Sequence, residues 1–168
     1  MQDNKQELPE FIQGLATKKS QVLQRREVIK KEYLKLLDRL GKKNGKNKKF
    51  VHNDFLDVDV YITMHESGKK ASYTSAFNWQ STYAVKHLEQ VIKYATQRDG
   101  EPIYYLPKNT GKQQEFKYVN MAKLYYDFVD ENLDYLNFTV KLILGIKSDG
   151  RHIQYSVNKI DIQKQKTS

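Results

Sequence analysis

The chain has 168 residues, enough for one domain with a real core, and 39% hydrophobic with 12% aromatic residues exclude a disordered chain. A formal charge of +9 favours polyanionic partners, and the absence of cysteine excludes disulfides, thiolate metal sites and cysteine nucleophiles. No run approaches the roughly 18 apolar residues of a membrane span, and "MQDNKQELPEF" has no apolar leader core, so a cytoplasmic protein without membrane contact is expected.

Residues 8–40 predict a helix. Phe11, Leu15, Val22, Ile29, Tyr33, Leu36 and Leu40 form one apolar stripe, and Lys18, Lys19, Arg25, Arg26, Lys30, Lys31 and Lys35 fall on the other side. Gly41 is the expected left-handed stop. "GKKNGKNKK", with five lysines, reads as a flexible basic linker. The expected organisation is a helical arm over 1–40, a linker over 41–49 and an α+β body over 50–168.

"FLDVDVYITM" predicts a strand by strict alternation, "HESGKK" a turn, and "ASYTSAF" a second strand. "STYAVKHLEQVIKYAT" predicts a helix, with Ser81 or Asn78 as its cap. "IYYLP" predicts a short strand before a polar loop, "KNTGKQQE". "KYVNMAKLYYDFV" fits helix or strand, with its Tyr and Phe density favouring strand over 123–129. "NFTVKLILGI" and "RHIQYSVNKI" predict a hairpin closed by Asp149–Gly150.

A two-residue turn sets Lys147 against His152, Ile146 against Ile153, Leu144 against Tyr155 and Leu142 against Val157. Val140, Leu142, Leu144, Ile146, Ile153, Tyr155 and Val157 then face the core, and Lys141, Ile143, His152, Gln154 and Ser156 face solvent. The expected fold is an antiparallel meander with helices on one face and the N-terminal helical arm.

Chemistry is carried by few residues. His152 on a wet sheet beside lysine is the expected acid–base group, while His87 sits on the flank of a buried helix face. The histidines at 52, 65, 87 and 152 lack metal-site spacing, so no metal and no cofactor are expected. "KNTGKQQE" is not a phosphate-binding loop, and no Gly-x-Ser-x-Gly occurs.

"FLDVDVYITMHESGKK", "AVKHLEQVIKYA" and "LNFTVKLILGIKSDGRHIQYSV" together span about residues 50–162. In them the chain resembles the accessory domains of polyvalent proteins carried by phages and conjugative elements. Relatives of that family are grouped with the barnase, EndoU and RelE-like nucleases. The resemblance implies a site at Gly68, Lys69 or Lys70, His87 and the strand from His152 to Ser156. It implies metal-independent RNA cleavage: one base takes the 2′-hydroxyl proton, an acid protonates the leaving oxygen, and a cation steadies the phosphorane. The catalytic candidates are His152, His87, Lys70 and Ser156.

Two functions follow as expectations. One is a ribonuclease-like toxin or effector of a mobile element. The other is a non-catalytic module that binds nucleic acid or, through the first helix, a protein. For nucleic acid, RNA before DNA, the contacts would be Lys42, Lys43, Lys46, Lys48, Lys49, Lys69 and Arg151. Convergence of the two imidazoles separates the readings, because proton relay through one water spans no more than about 10–12 Å.

Overall fold

The computed structural model describes Lys18, residues 20–108 and residues 117–161. The expected helical turns before Lys18 and most of the polar loop lie outside these residues. The chain is an α+β protein with a six-stranded, mostly antiparallel sheet.

Helix α1 spans Val22–Asn44. Ile29, Tyr33, Leu36, Leu37 and Leu40 are buried in the main core, the spacing of a single apolar face. It does not stand apart as an arm, and the expected boundary at 40/41 falls inside it. The helix runs through Gly41, and the positive φ that follows its end belongs to Gly45 (116°). Arg25 is not on the solvated side. It is fully buried, and its guanidinium donates to Ala76 O (2.6 Å) and Lys18 O (2.6 Å).

The expected strand "FLDVDVYITM" is instead part of a hairpin, β1 (Phe50–Asn53) with β2 (Val58–Tyr61), because Asn53 turns the chain. Its buried amide donates to Ile92 O and Ala95 O and accepts from Leu56 N, satisfying backbone groups that the corner would strand. A π turn (Met64–Gly68), capped by Thr63 Oγ1 on Glu66 N, leads into α2 (Lys69–Thr74). The expected strand "ASYTSAF" is thus largely helical. Its small residues let α2 lie close along the strand that carries Val157, with Ala71 and Ala76 fully buried.

The expected single helix over 81–97 is two, α3 (Trp79–Lys86) and α4 (Leu88–Tyr94), broken at His87 (φ −112°, ψ 30°). Asn78 caps α3 through Ser81 N. Strands β3 (Tyr104–Tyr105), β4 (Asn120–Phe128), β5 (Phe138–Ile146) and β6 (His152–Ile160) complete the sheet. The order is β1-β2-β6-β5-β4-β3, and only β2 and β6 run parallel.

The β5–β6 hairpin exists as expected, but its loop is one residue longer. Lys147 and Arg151 bond across Ser148-Asp149-Gly150, with Gly150 at φ 91°. This is a type I turn followed by a glycine bulge. Ile146 therefore faces His152 and Leu144 faces Gln154, until a bulge in β6, with Tyr155 as its extra residue opposite the Ile143–Leu144 step of β5, restores Leu142 against Val157. His152 and Gln154 accordingly lie on the helix side, and Ile153 and Tyr155 on the other, the reverse of the expected faces.

The described helices cover one face, packing on Val60, Ala122, Leu124, Val140, Leu142, Leu144 and Val157. Among the described residues no helix covers the second face, where Tyr118, Met121, Ile143 and Ile153 pack with Tyr61, Tyr105 and Tyr155. No helix among them is long and apolar enough to cross a membrane.

Candidate nucleic-acid interface

The second face is built by alternation in three long strands. Across β4, β5 and β6 its rows are Tyr125–Lys141–Asn158, Lys123–Ile143–Ser156 and Met121–Gly145–Ile153. Gly145 is required there, because a methyl group at its Cα would sit 2.5 Å from ring carbons of Tyr118. Tyr118 meets Tyr155 edge to face at 5.7 Å, and Lys70 Nζ stands 5.0 Å from the Tyr155 ring centroid.

Cations crowd the β4 end of this face. Arg98 lies over the Tyr125 ring at 4.4 Å. Glu101 pairs with Arg98 and with Lys123 (3.2 Å), and accepts from the Tyr125 hydroxyl (3.0 Å). Lys141, half-buried, forms no ion pair among the described residues. Burial, then Lys123 and Lys108, hold its ammonium below the ordinary lysine value against the pull of Glu101. Arg98, Lys123 and Lys141 thus gather round one carboxylate, and an anion placed among the three would relieve their repulsion.

The expected catalytic residues divide between the faces. Ser156 is on the second face opposite Ile143 and is buried there, and Lys70 reaches that face over Tyr155. His152 is on the helix side at the hairpin turn, with Nδ1 donating to Gly150 O (3.0 Å). His87 stacks against Tyr83 (4.5 Å) and meets the ring of Phe128 (6.2 Å), whose strand partner is Phe138. Ile146 and Phe138 are opposite ends of β5, so the imidazoles lie roughly 25 Å apart at about 3.3 Å per residue. Burial lowers the pKa of both. The structure does not bring them into one site.

The expected nucleic-acid contacts are scattered. Lys42 pairs with Asp38 (3.0 Å), Lys43 with Glu89 (3.9 Å) and Arg151 with Asp149 (2.8 Å). Lys46, Lys48 and Lys49 sit on or beside the loop after α1, and Lys69 opens α2. Tyr125, Arg98, Glu101 and Lys123 were missed. Their signal is the alternation Lys123-x-Tyr125-x-Asp127 within "NMAKLYYDF".

Among the described residues no group of three or more His, Asp or Glu side chains is placed to hold a metal ion. No family model, no curated protein and no solved structure matches this chain.

Proposed function

We propose that the chain is a non-catalytic nucleic-acid-binding module that takes single-stranded RNA at the cation-rich β4 end of the second sheet face. The observation that carries this is Lys141: a half-buried ammonium without an ion pair among the described residues, held among Lys123, Lys108 and Arg98 beside Tyr125. Lysines beside the partly exposed rings of Tyr105 and Tyr155 suit a flexible strand, because bases stack on such rings while phosphates meet the cations. The separation of His87 from His152 favours binding over cleavage. Lys46, Lys48 and Lys49 add a second basic site for the same polyanion.

Fluorescence anisotropy with a short unstructured RNA, its DNA counterpart and an RNA duplex tests the reading. Single-stranded RNA is expected to bind best, with affinity falling as salt rises. Lys141→Gln should weaken binding severalfold and flatten the log–log salt slope by about 0.7. Binding that is absent at low salt, or indifferent to Lys141→Gln and Lys123→Gln, overturns it.

A further inference from the structure

A cavity opens on the helix side, at the end of the sheet farthest from the β5–β6 turn. It holds roughly 150 Å³, is about half open to solvent, and is walled by Tyr83, His87, Gln90, Tyr126, Phe128 and Asp130, with polar atoms forming most of its surface. A site of about this volume has room for one benzene-sized group. The rings do not lie flat on one another. Tyr83 meets Phe128 at 68° and Tyr126 meets Phe128 at 76°, so they form a concave box. Gln90 Nε2 donates to the Tyr126 hydroxyl and braces one wall.

The electrostatics of the box oppose those of the chain. It has no lysine or arginine in its lining, whereas the protein carries +9. Burial, then Lys86, pushes the His87 imidazole down against the pull of Glu32, which favours its neutral form. Asp130 forms no ion pair among the described residues, and Asn137 fixes its position by bonding both Asp130 N and Asp130 O at 2.9 Å. Asp130 Oδ1 accepts from Asn132 N (2.8 Å). Burial, then Asp130, Tyr126 and Tyr135, all raise the Tyr83 phenol, so one carboxylate and two further phenols lie around it. The Tyr135 hydroxyl is itself buried without a partner.

A cation clothed in methyl groups is weakly hydrated and is attracted by ring faces. We propose that this cavity binds an alkylated ammonium group, with Tyr83, Tyr126 and Phe128 as its walls and Asp130 as its counter-charge. The group could belong to a free small molecule or to a methylated lysine of another protein.

The test titrates the ¹⁵N-labelled full chain with choline, with 3,3-dimethylbutan-1-ol as its uncharged isostere, and with a trimethyllysine peptide beside its unmodified twin. At least one alkylammonium probe is expected to shift amides of residues 83–90 and 126–136. It should bind about tenfold more tightly than its uncharged or unmodified counterpart. A response to choline alone assigns a small molecule, and one to the peptide alone assigns a protein side chain. Tyr126→Leu, which keeps apolar bulk, should lose about fivefold. Equal binding of the uncharged isostere, or no shift at the cavity with any alkylammonium probe, overturns the proposal. The isostere comparison needs no variant, so a misfolded Tyr126→Leu protein leaves the test decisive.

Discussion

Gln154 shows what the extra loop residue does to one side chain. It is fully buried, and Oε1 accepts the Tyr33 hydroxyl at 2.7 Å, while Nε2 has no partner. Removing the hydroxyl would leave both ends of the amide unpaired. Tyr33→Phe should therefore cost about 1–3 kcal/mol, and Gln154→Leu added to it should recover much of that loss. Urea unfolding of the two single variants and the double variant gives the coupling; additive losses would contradict it. His52 is the residue with the opposite exposure. Its Nδ1 meets Asp59 and its Nε2 meets Asp57, each at 2.8 Å, and Asp59 before Asp57 raises its pKa. A raised folded value means stabilisation that is complete below the unfolded value of about 6.5 and lost as pH rises through the folded one. His87 and His152, lowered by burial, act with the opposite sign, so stability from their neutral forms is lost as pH falls below about 6.5. The melting temperature of wild type minus that of His52→Gln isolates the first effect. The gap should be wider at pH 5.5 than at pH 8.5, and an unchanged gap rules it out.

The β5–β6 hairpin shows how far an element can be read from its letters. Asp149–Gly150 announces a turn, but the dipeptide suits a two-residue loop and the last two places of a three-residue loop equally well. One residue decides which way each side chain points, so His152 and Tyr155 were assigned to the wrong faces while Leu142 against Val157, beyond the bulge, was right. Gly145 lies in the shifted stretch, against Ile153. Gly145→Ala should destabilise by about 1–3 kcal/mol, since the methyl group and the Tyr118 ring cannot both fit. Tyr118→Leu in that background should return part of the loss. A neutral Gly145→Ala, measured by urea unfolding, would contradict the close packing of ring on backbone.

At the scale of the molecule, α1 belongs to the body. Ile29 is fully buried and Leu40 is 1% exposed, in one cluster with the sheet residues Leu124 and Leu142. Leu40→Ala should cost about 2–5 kcal/mol and lower a single unfolding transition. Two separate transitions would restore the arm. The stripe of α1 was legible because 3.6-residue periodicity needs no partner to be seen. Where it docked was not, because the lysine-rich stretch after Leu40 has the composition of a linker. The α+β class and the covered sheet face came from segregated patterns. The cation cluster stayed hidden because Arg98 and Glu101 meet Lys123 and Lys141 only after the segment at 96–105 folds back along β4.

Strand β6 pairs with β2 over two positions only, Val60 with His152 and Tyr61 with Ile153. Beyond them its outer carbonyls are met by hydroxyls, Ser67 Oγ donating to Gln154 O (2.6 Å) and Ser75 Oγ to Val157 O (2.5 Å). Those are the acceptors a foreign strand would need in order to extend the sheet. Serine side chains carried by the π turn and the end of α2 thus blunt β6 against templated self-assembly, a hazard for any long, apolar strand with an open side. The strands left at the borders are short, four residues in β1 and two in β3. Partners are thereby turned away from strand addition and toward the faces and loops of the molecule.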